Sequence, residues 1–422
     1  MPLFSTARAR PASFPLAVVM AGALTFSRAG HTQPLTLEEA MQIAEANQPL
    51  LAAQQAAVRA AGEASTAAAQ LPDPKLNLGL LNVPVTGPDA FSLTQDFMTM
   101  RMIGVMQEFT RESKRRLKSE LASIEGSQRQ LELAFTRRMI RRDTTVAWLE
   151  AWYAERALDL VKALEQETER QIDALAIGLR AGKAAQTDVL AARVELDLFK
   201  DRADAQRQRA ASARAELARW IGPAAARPLP SDPPALPTPP ALDELAGRLQ
   251  AHPHLSAYDR QVAYADKDAE LARVATSPDW NIEVSYAVRG SAYSDMISVQ
   301  VGIDLPVFPK NRQLRDVASK LALADRARAM REDNLREMEA MLRRAYAEWT
   351  ALNERLARYR SSTLPQAQAR TRAALATYRA GRGELRSVLE ARRMELDLRM
   401  QQLMLEAEAA RTQAMIGYYQ DL

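Results

Sequence analysis

The segment "WNIEVSYAV", Trp280 to Val288, sets Trp280, Ile282, Val284, Tyr286 and Val288 at alternate positions, with Asn281, Glu283 and Ser285 between them. Side chains alternate across a strand, so this spacing predicts one apolar and one polar face. "MISVQVGIDL", residues 296–305, repeats the pattern, with Ile297, Val299, Val301, Ile303 and Leu305 against Ser298, Gln300, Gly302 and Asp304. Earlier in the chain Leu76, Leu78 and Leu80 alternate with Lys75, Asn77 and Gly79. Strands of this kind in an exported chain imply a barrel with lipid outside and water inside, and four are too few to close one, since the smallest have about eight. Each open edge seeks a partner, so the barrel must be shared between chains. Lys75, Arg101, Glu283 and Asp304 are the expected water-facing residues.

The stretch "QDFMTMRMIGVMQEF", residues 95–109, places Met98, Met100, Met102 and Met106 at even positions, opposite Thr99, Arg101 and Gln107. The barrel argument sends this row towards lipid or a neighbouring chain. Two other readings stand beside it: packing where helix meets barrel, and a thioether ladder for Cu(I) or Ag(I) inside the barrel, because soft thioethers suit such ions.

Export is read from the N-terminus, where Arg8 and Arg10 precede an apolar run from Phe14 to Phe26 and then Ser27-Arg28-Ala29. That is the plan of a secretory signal over residues 1–29, too short to span a bilayer. Its removal takes the formal charge of +4 down to +1 by losing three arginines, so the basic balance says little about partners. Acidic and basic residues, 52 and 56 in all, are interspersed, which reads as solvated helix faces and implies no nucleic acid. The absence of cysteine excludes disulfides, thiolate metal sites and a lipidated N-terminal cysteine. His252 and His254 flank Pro253 at a helix start and His31 lies beside the cleavage site, a weak metal signal at best. No Gly-rich phosphate loop, nucleophile elbow or acid-base cluster appears, so neither enzyme nor cofactor is expected.

The order of segments is written twice. "LPDPKLNLGL" from Leu71 returns as "SPDWNIEVSY" from Ser277, and "RAGKAAQTDVLAARVELDL" from Arg180 as "RAGRGELRSVLEARRMELDL" from Arg379. The first repeat is placed at 30–222 and the second at 241–422, joined by a Pro-rich linker, 223–240, which cannot be helical. Residues 111–181 carry Leu149, Tyr153, Ala157, Leu160, Leu164 and Leu175 at helical spacing, a helix on the order of 100 Å long at about 1.5 Å per residue. After Gly182 the chain returns beside it as a helix to Trp220, and Gly182 and Gly381 are the hairpin-turn glycines. The returning helices are about half as long as their partners. Residues 241–276 are expected to stack on the first and 36–70 on the second, alongside 311–380. Pro365 is expected to kink or interrupt that last helix. The fold class is thus mainly α with a small β part: long antiparallel coiled-coil hairpins plus four strands of a shared barrel.

With that order established, the chain resembles the TolC family of outer-membrane channel proteins over essentially its mature length. "NVPVTGPDAFSLTQDFMTMRMIGVMQ", residues 82–107, is similar to the segment typical of the heavy-metal efflux branch, the CusC-like and CzcC-like factors. That branch follows with a "PxPGK" turn, where this chain reads "EFTRESKRR", residues 108–116. The resemblance implies a homotrimer in the outer membrane, extending into the periplasm, docked on a periplasmic adaptor and an inner-membrane RND pump, and exporting small solutes such as heavy-metal cations. It also implies a periplasmic gate. By motif, its aspartate falls on Asp188, its tyrosine on Tyr378 and an acidic ring position on Glu390, with Arg382 next to the place of the gating arginine. Solvated turn charges remain an alternative for Asp188, Arg382 and Glu390. Rival functions are an exit duct for type I protein secretion or drug efflux, and a periplasmic coiled-coil scaffold without a pore.

Overall fold

The computed structural model describes residues 33–182 and 184–420, so the expected signal segment and His31 lie outside the described residues. Helices α1 (Leu37–Asn47) and α2 (Pro49–Ala68) lead into strands β1 (Lys75–Leu81) and β2 (Met100–Phe109), then α3 (Glu112–Arg180) and α4 (Gln186–Ile221). The same order follows in α5 (Leu242–Arg248), α6 (Pro253–Val274), β3 (Trp280–Val288) and β4 (Met296–Ile303), then α7 (Gln313–Arg358), α8 (Leu364–Arg379) and α9 (Leu385–Gly417). Helix α3 has 69 residues and α4 has 36. Both hairpin turns pass through a left-handed glycine, Gly182 at φ +67° and Gly381 at φ +71°. Near Pro365 the α-helix is interrupted, though the helical run continues through it. The proline has no N–H to give the previous turn, and the chain takes a single π turn over Tyr359–Thr363 immediately before it.

The stacking of the short helices differs from the sequence expectation. Helix α2 lies along α3, not α7, while α6 runs between α3 and α7. The cause lies at the ends of the returning helices, whose last carbonyls lack partners within the helix. The Gln48 amide donates to the Trp220 and Arg219 carbonyls at 2.9 and 3.2 Å, which stacks α1 and α2 on α4. At the end of α9, His252 of the α6 N-terminus contacts the Tyr418 carbonyl at 3.4 Å. Ion pairs fix the sides: Arg141–Glu45 joins α3 to α1, Lys267–Glu120 joins α6 to α3, and Lys320–Asp268 joins α7 to α6.

The main core forms where these stacks meet. Leu35, Ala40, Ala44 and Leu51 close on Trp148, Trp152, Leu217 and Ile221. The linker is one 3-10 turn, Gly222–Ala226, followed by extended chain, and it is held down by indole and amide donors. Trp152 Nε1 donates to the Pro230 carbonyl at 2.8 Å, and Gln413 binds the Leu236 and Pro237 carbonyls.

Candidate functional site

The four strands form one antiparallel sheet in the order β1-β2-β3-β4, so β1 and β4 are open edges among the described residues. Directly paired residues share a face. Leu76, Val105, Val284 and Val299 lie on one rung of one face, and Leu78, Ile103, Tyr286 and Ile297 on the next. That apolar face is open, with Leu78 at 72% and Ile297 at 74% exposure. On the opposite face Lys75, Met106, Glu283 and Gln300 make one rung and Asn77, Gly104, Ser285 and Ser298 another. Here Asn77 Nδ2 donates to Glu283 Oε1 at 2.9 Å. The bond passes over Gly104, where a Cβ would lie 2.9 Å from that of Ser285 and 3.0 Å from Glu283 Oε1.

This register corrects the reading of β2. Met100, Met102 and Met106 share the polar face with Lys75 and Glu283, and Arg101 lies on the apolar face between Leu80 and Val288. In β2 both phases carry apolar residues, Met100, Met102 and Met106 on one and Ile103 and Val105 on the other, so periodicity alone left the choice open. Pairing with β1 and β3 makes it. Arg101 sits at the strand end, where its guanidinium donates to the Arg289 carbonyl at 3.1 Å. Met98 lies before the strand, its N–H held by the Asp96 carboxylate at 2.8 Å. Asp304 lies one residue past β4 and continues the polar phase.

At the end of the sheet nearest the helices, Phe109 and Trp280 stack on the apolar face at 4.4 Å. Beside them Asp279 receives the Lys114 ammonium at 2.7 Å and the Arg111 N–H at 3.0 Å. Burial pushes the Asp279 carboxyl up, but the Lys114 hydrogen bond, the Arg111 N–H and the Lys114 and Lys118 charges together hold it below its ordinary value. This brace joins the two halves at the start of α3. Its signal in the sequence was the Pro-Asp pair common to "LPDP" and "SPDW".

At the far end of the helices the two hairpin turns pack together. Leu175 and Val189 of the first hairpin meet Leu385 and Val388 of the second, with Tyr378 against them. Arg392 reaches across to Glu167 at 2.9 Å beside a cleft of about 480 Å³. Asp188 caps α4 by accepting the Ala185 N–H at 3.4 Å, and among the described residues no hydrogen bond joins it to Tyr378 in the same chain. Arg382 is exposed, and Glu390 pairs loosely with Arg386 at 3.7 Å. Among the described residues no group of three or more histidine, aspartate or glutamate side chains is placed to hold a metal ion, and no described helix is long and apolar enough to cross a membrane.

Residues 247–417 match the family described as outer membrane efflux protein. No curated protein matches the chain by sequence. The fold is shared with CusC, whose structures are described in terms of folding and transmembrane channel formation, at a TM-score of 0.76, 15% identity and 92% of each chain. It is shared also with the outer membrane protein VceC of Vibrio cholerae, at a TM-score of 0.75, 17% identity and coverage of 92% of this chain and 96% of that one. A membrane protein from Pseudomonas aeruginosa aligns at a TM-score of 0.75 and 16% identity over 91% of this chain and 93% of its own. The second half of the chain thus matches an outer membrane efflux protein family, and the fold as a whole is the one shared by these structures.

Proposed function

We propose that this chain is the outer-membrane channel of a tripartite efflux system, a passive duct that exports small solutes, heavy-metal cations among them. Three copies join β4 of one chain to β1 of the next and close a twelve-stranded barrel. The paired hairpins continue it as a periplasmic tunnel that docks on an adaptor and an RND-type pump. The observation that carries the reading is the two-faced sheet with both edges open. Its apolar face is too large and continuous to stay in water, its edge hydrogen-bonding groups need partners, and closure with lipid outside answers both demands. Selection among hard cations and organic solutes then belongs to the pump, since among the described residues no group of three or more histidine, aspartate or glutamate side chains is placed to hold a metal ion. A scaffold without a pore has no use for such a face.

The test is fractionation followed by electrical recording. The protein is expected in outer-membrane extracts as a heat-stable trimer that cross-links as three chains and conducts in planar bilayers. A soluble periplasmic monomer overturns the proposal. Deletion scored on a panel of metals, drugs and detergents assigns the solute class, with sensitivity to metals expected.

A further inference from the structure

Within the strands the sorting of apolar residues follows side-chain type, not polarity alone. The apolar residues of the apolar face are leucine, valine, isoleucine, phenylalanine, tyrosine and tryptophan, with no methionine. Met100, Met102, Met106 and Met296 all lie on the polar face, where the remaining apolar residues are Leu81 at a strand end and Ala287. Packing does not account for this, because methionine would serve equally well against lipid.

We propose that Met100, Met102 and Met296 form a thioether collar on the water-facing wall that takes soft monovalent cations, Ag⁺ or Cu⁺, in passage. The inference rests on the reading of the sheet as one third of a trimeric barrel. Met102 is flanked by the two smallest residues on its rung, Gly79 on one side and Ala287 on the other, and Met296 stands beyond Ala287. The Met102 methyl lies 3.7 Å from where a Gly79 Cβ would be, so the side chain spreads over bare backbone towards the β1 edge. In the closed barrel that edge adjoins β4 of the next chain, which carries its Met296. Met102 and Met296 are two strands apart within a chain, about 10 Å at the usual strand spacing. Two flexible side chains span that gap over a single methyl group. Met100 is the next residue of the same face along β2.

The chemistry of this donor set is selective. Thioethers are neutral and soft, so they favour Ag⁺ and Cu⁺ over Zn²⁺, Na⁺ or Mg²⁺. They carry no proton to displace, so binding persists at mildly acidic pH, unlike a thiolate or imidazole site. The nearest carboxylate on the face, Glu283, is four residues from Ala287 along β3 and already accepts from Asn77 at 2.9 Å, and the oxygens of the intervening rung are neutral hydroxyls and an amide. Neutral ligands also bind weakly enough to release, which conduction requires.

The experiment is an Ag⁺ titration of the purified full-length trimer by calorimetry, with Zn²⁺ as the contrast ion and single-channel conductance of K⁺ measured on the same preparation. The chain contains no cysteine, so no thiolate background obscures the result. Saturable Ag⁺ binding without Zn²⁺ binding is expected, and Met100→Leu/Met102→Leu/Met296→Leu should weaken it at least about tenfold while leaving K⁺ conductance unchanged, because leucine conserves volume and apolarity. Met102→Leu alone, which disturbs the wall least, should weaken binding in the same direction. If the wild-type trimer conducts but does not bind Ag⁺, or if the triple variant binds as wild type does, the collar is overturned and the duct stands. If the wild-type protein forms no conducting trimer, the duct itself is overturned and the collar with it.

Discussion

Asp279 does two jobs with one carboxylate. It accepts the N–H of Arg111, the residue just before the longest helix, and it neutralises Lys114, whose side chain is only 10% exposed. Asp279→Asn leaves that ammonium shielded and without a counter-charge, a change expected to cost about 3 kcal/mol. The folded carboxyl titrates below its unfolded value, so the brace contributes fully above that value and is lost as pH falls below about 4. The wild-type melting temperature in detergent should therefore drop between pH 5 and pH 3 by more than that of the variant. Parallel curves would mean that Asp279 is not the group being titrated. The brace was poorly legible in advance because its two ends are 165 residues apart. The turn glycines were legible because a helical hairpin must reverse where its spacing breaks, and only glycine enters φ > 0 there without strain.

At the scale of elements, the sheet's two faces make opposite demands on the same substitution. Lysine at Val284 or Val299, both on the apolar face, should cost about 2–4 kcal/mol each near mid-bilayer and lower the yield of heat-stable trimer. Lysine at Ser298 or Gln300, on the polar face of the same strands, should leave the yield near wild type. Equal damage on both faces would mean that the lipid-facing side is assigned wrongly. Arg101 tests no such cost, since it lies at the strand end, where an arginine on the lipid side is cheap and where its guanidinium binds a carbonyl. The helices carry a related lesson. Length alone would stack residues 241–276 on α4 and 36–70 on α9, but α6 meets the end of α9 and α2 meets the end of α4, because length says only that a helix can fill a gap. Gln48 and the ion pair of Glu45 with Arg141 determine which gap it fills.

At the scale of the whole molecule, the proposed trimer gathers the hairpin turns of its three chains at one end. Asp188 and Tyr378 come to one end of the hairpins without bonding to each other within a chain. On the proposed trimer, a latch between them crosses from one subunit to the next. A shielded hydroxyl-to-carboxylate bond of that kind contributes about 1.5–3 kcal/mol, and three copies act together. Asp188→Ala with Tyr378→Phe should then raise conductance in planar bilayers and admit large antibiotics across the outer membrane. Glu390→Gln should leave the aperture closed and weaken cation preference, modestly, because the exposed Arg386 already screens part of that charge. Unchanged conductance in the double variant at normal trimer yield would leave Asp188 as the cap of α4 and nothing more.

The sequence by itself determined the local periods: two in the strands, 3.6 in the helices, glycine at the turns, proline between the halves. Each follows from forces between residues close along the chain, so a string of residue types suffices to read it. Only the tertiary structure decided the register of β2, the stacking of α2 on α4 and the brace at Asp279. The physical reason is common to all three. A strand with apolar side chains in both phases can turn either face outward, a helix of the right length can fill either gap, and a carboxylate can serve any cation within reach. Contacts between residues far apart in the chain choose among these near-equal local options, and a one-residue shift of pairing would have carried every methionine of β2 to the other side of the sheet.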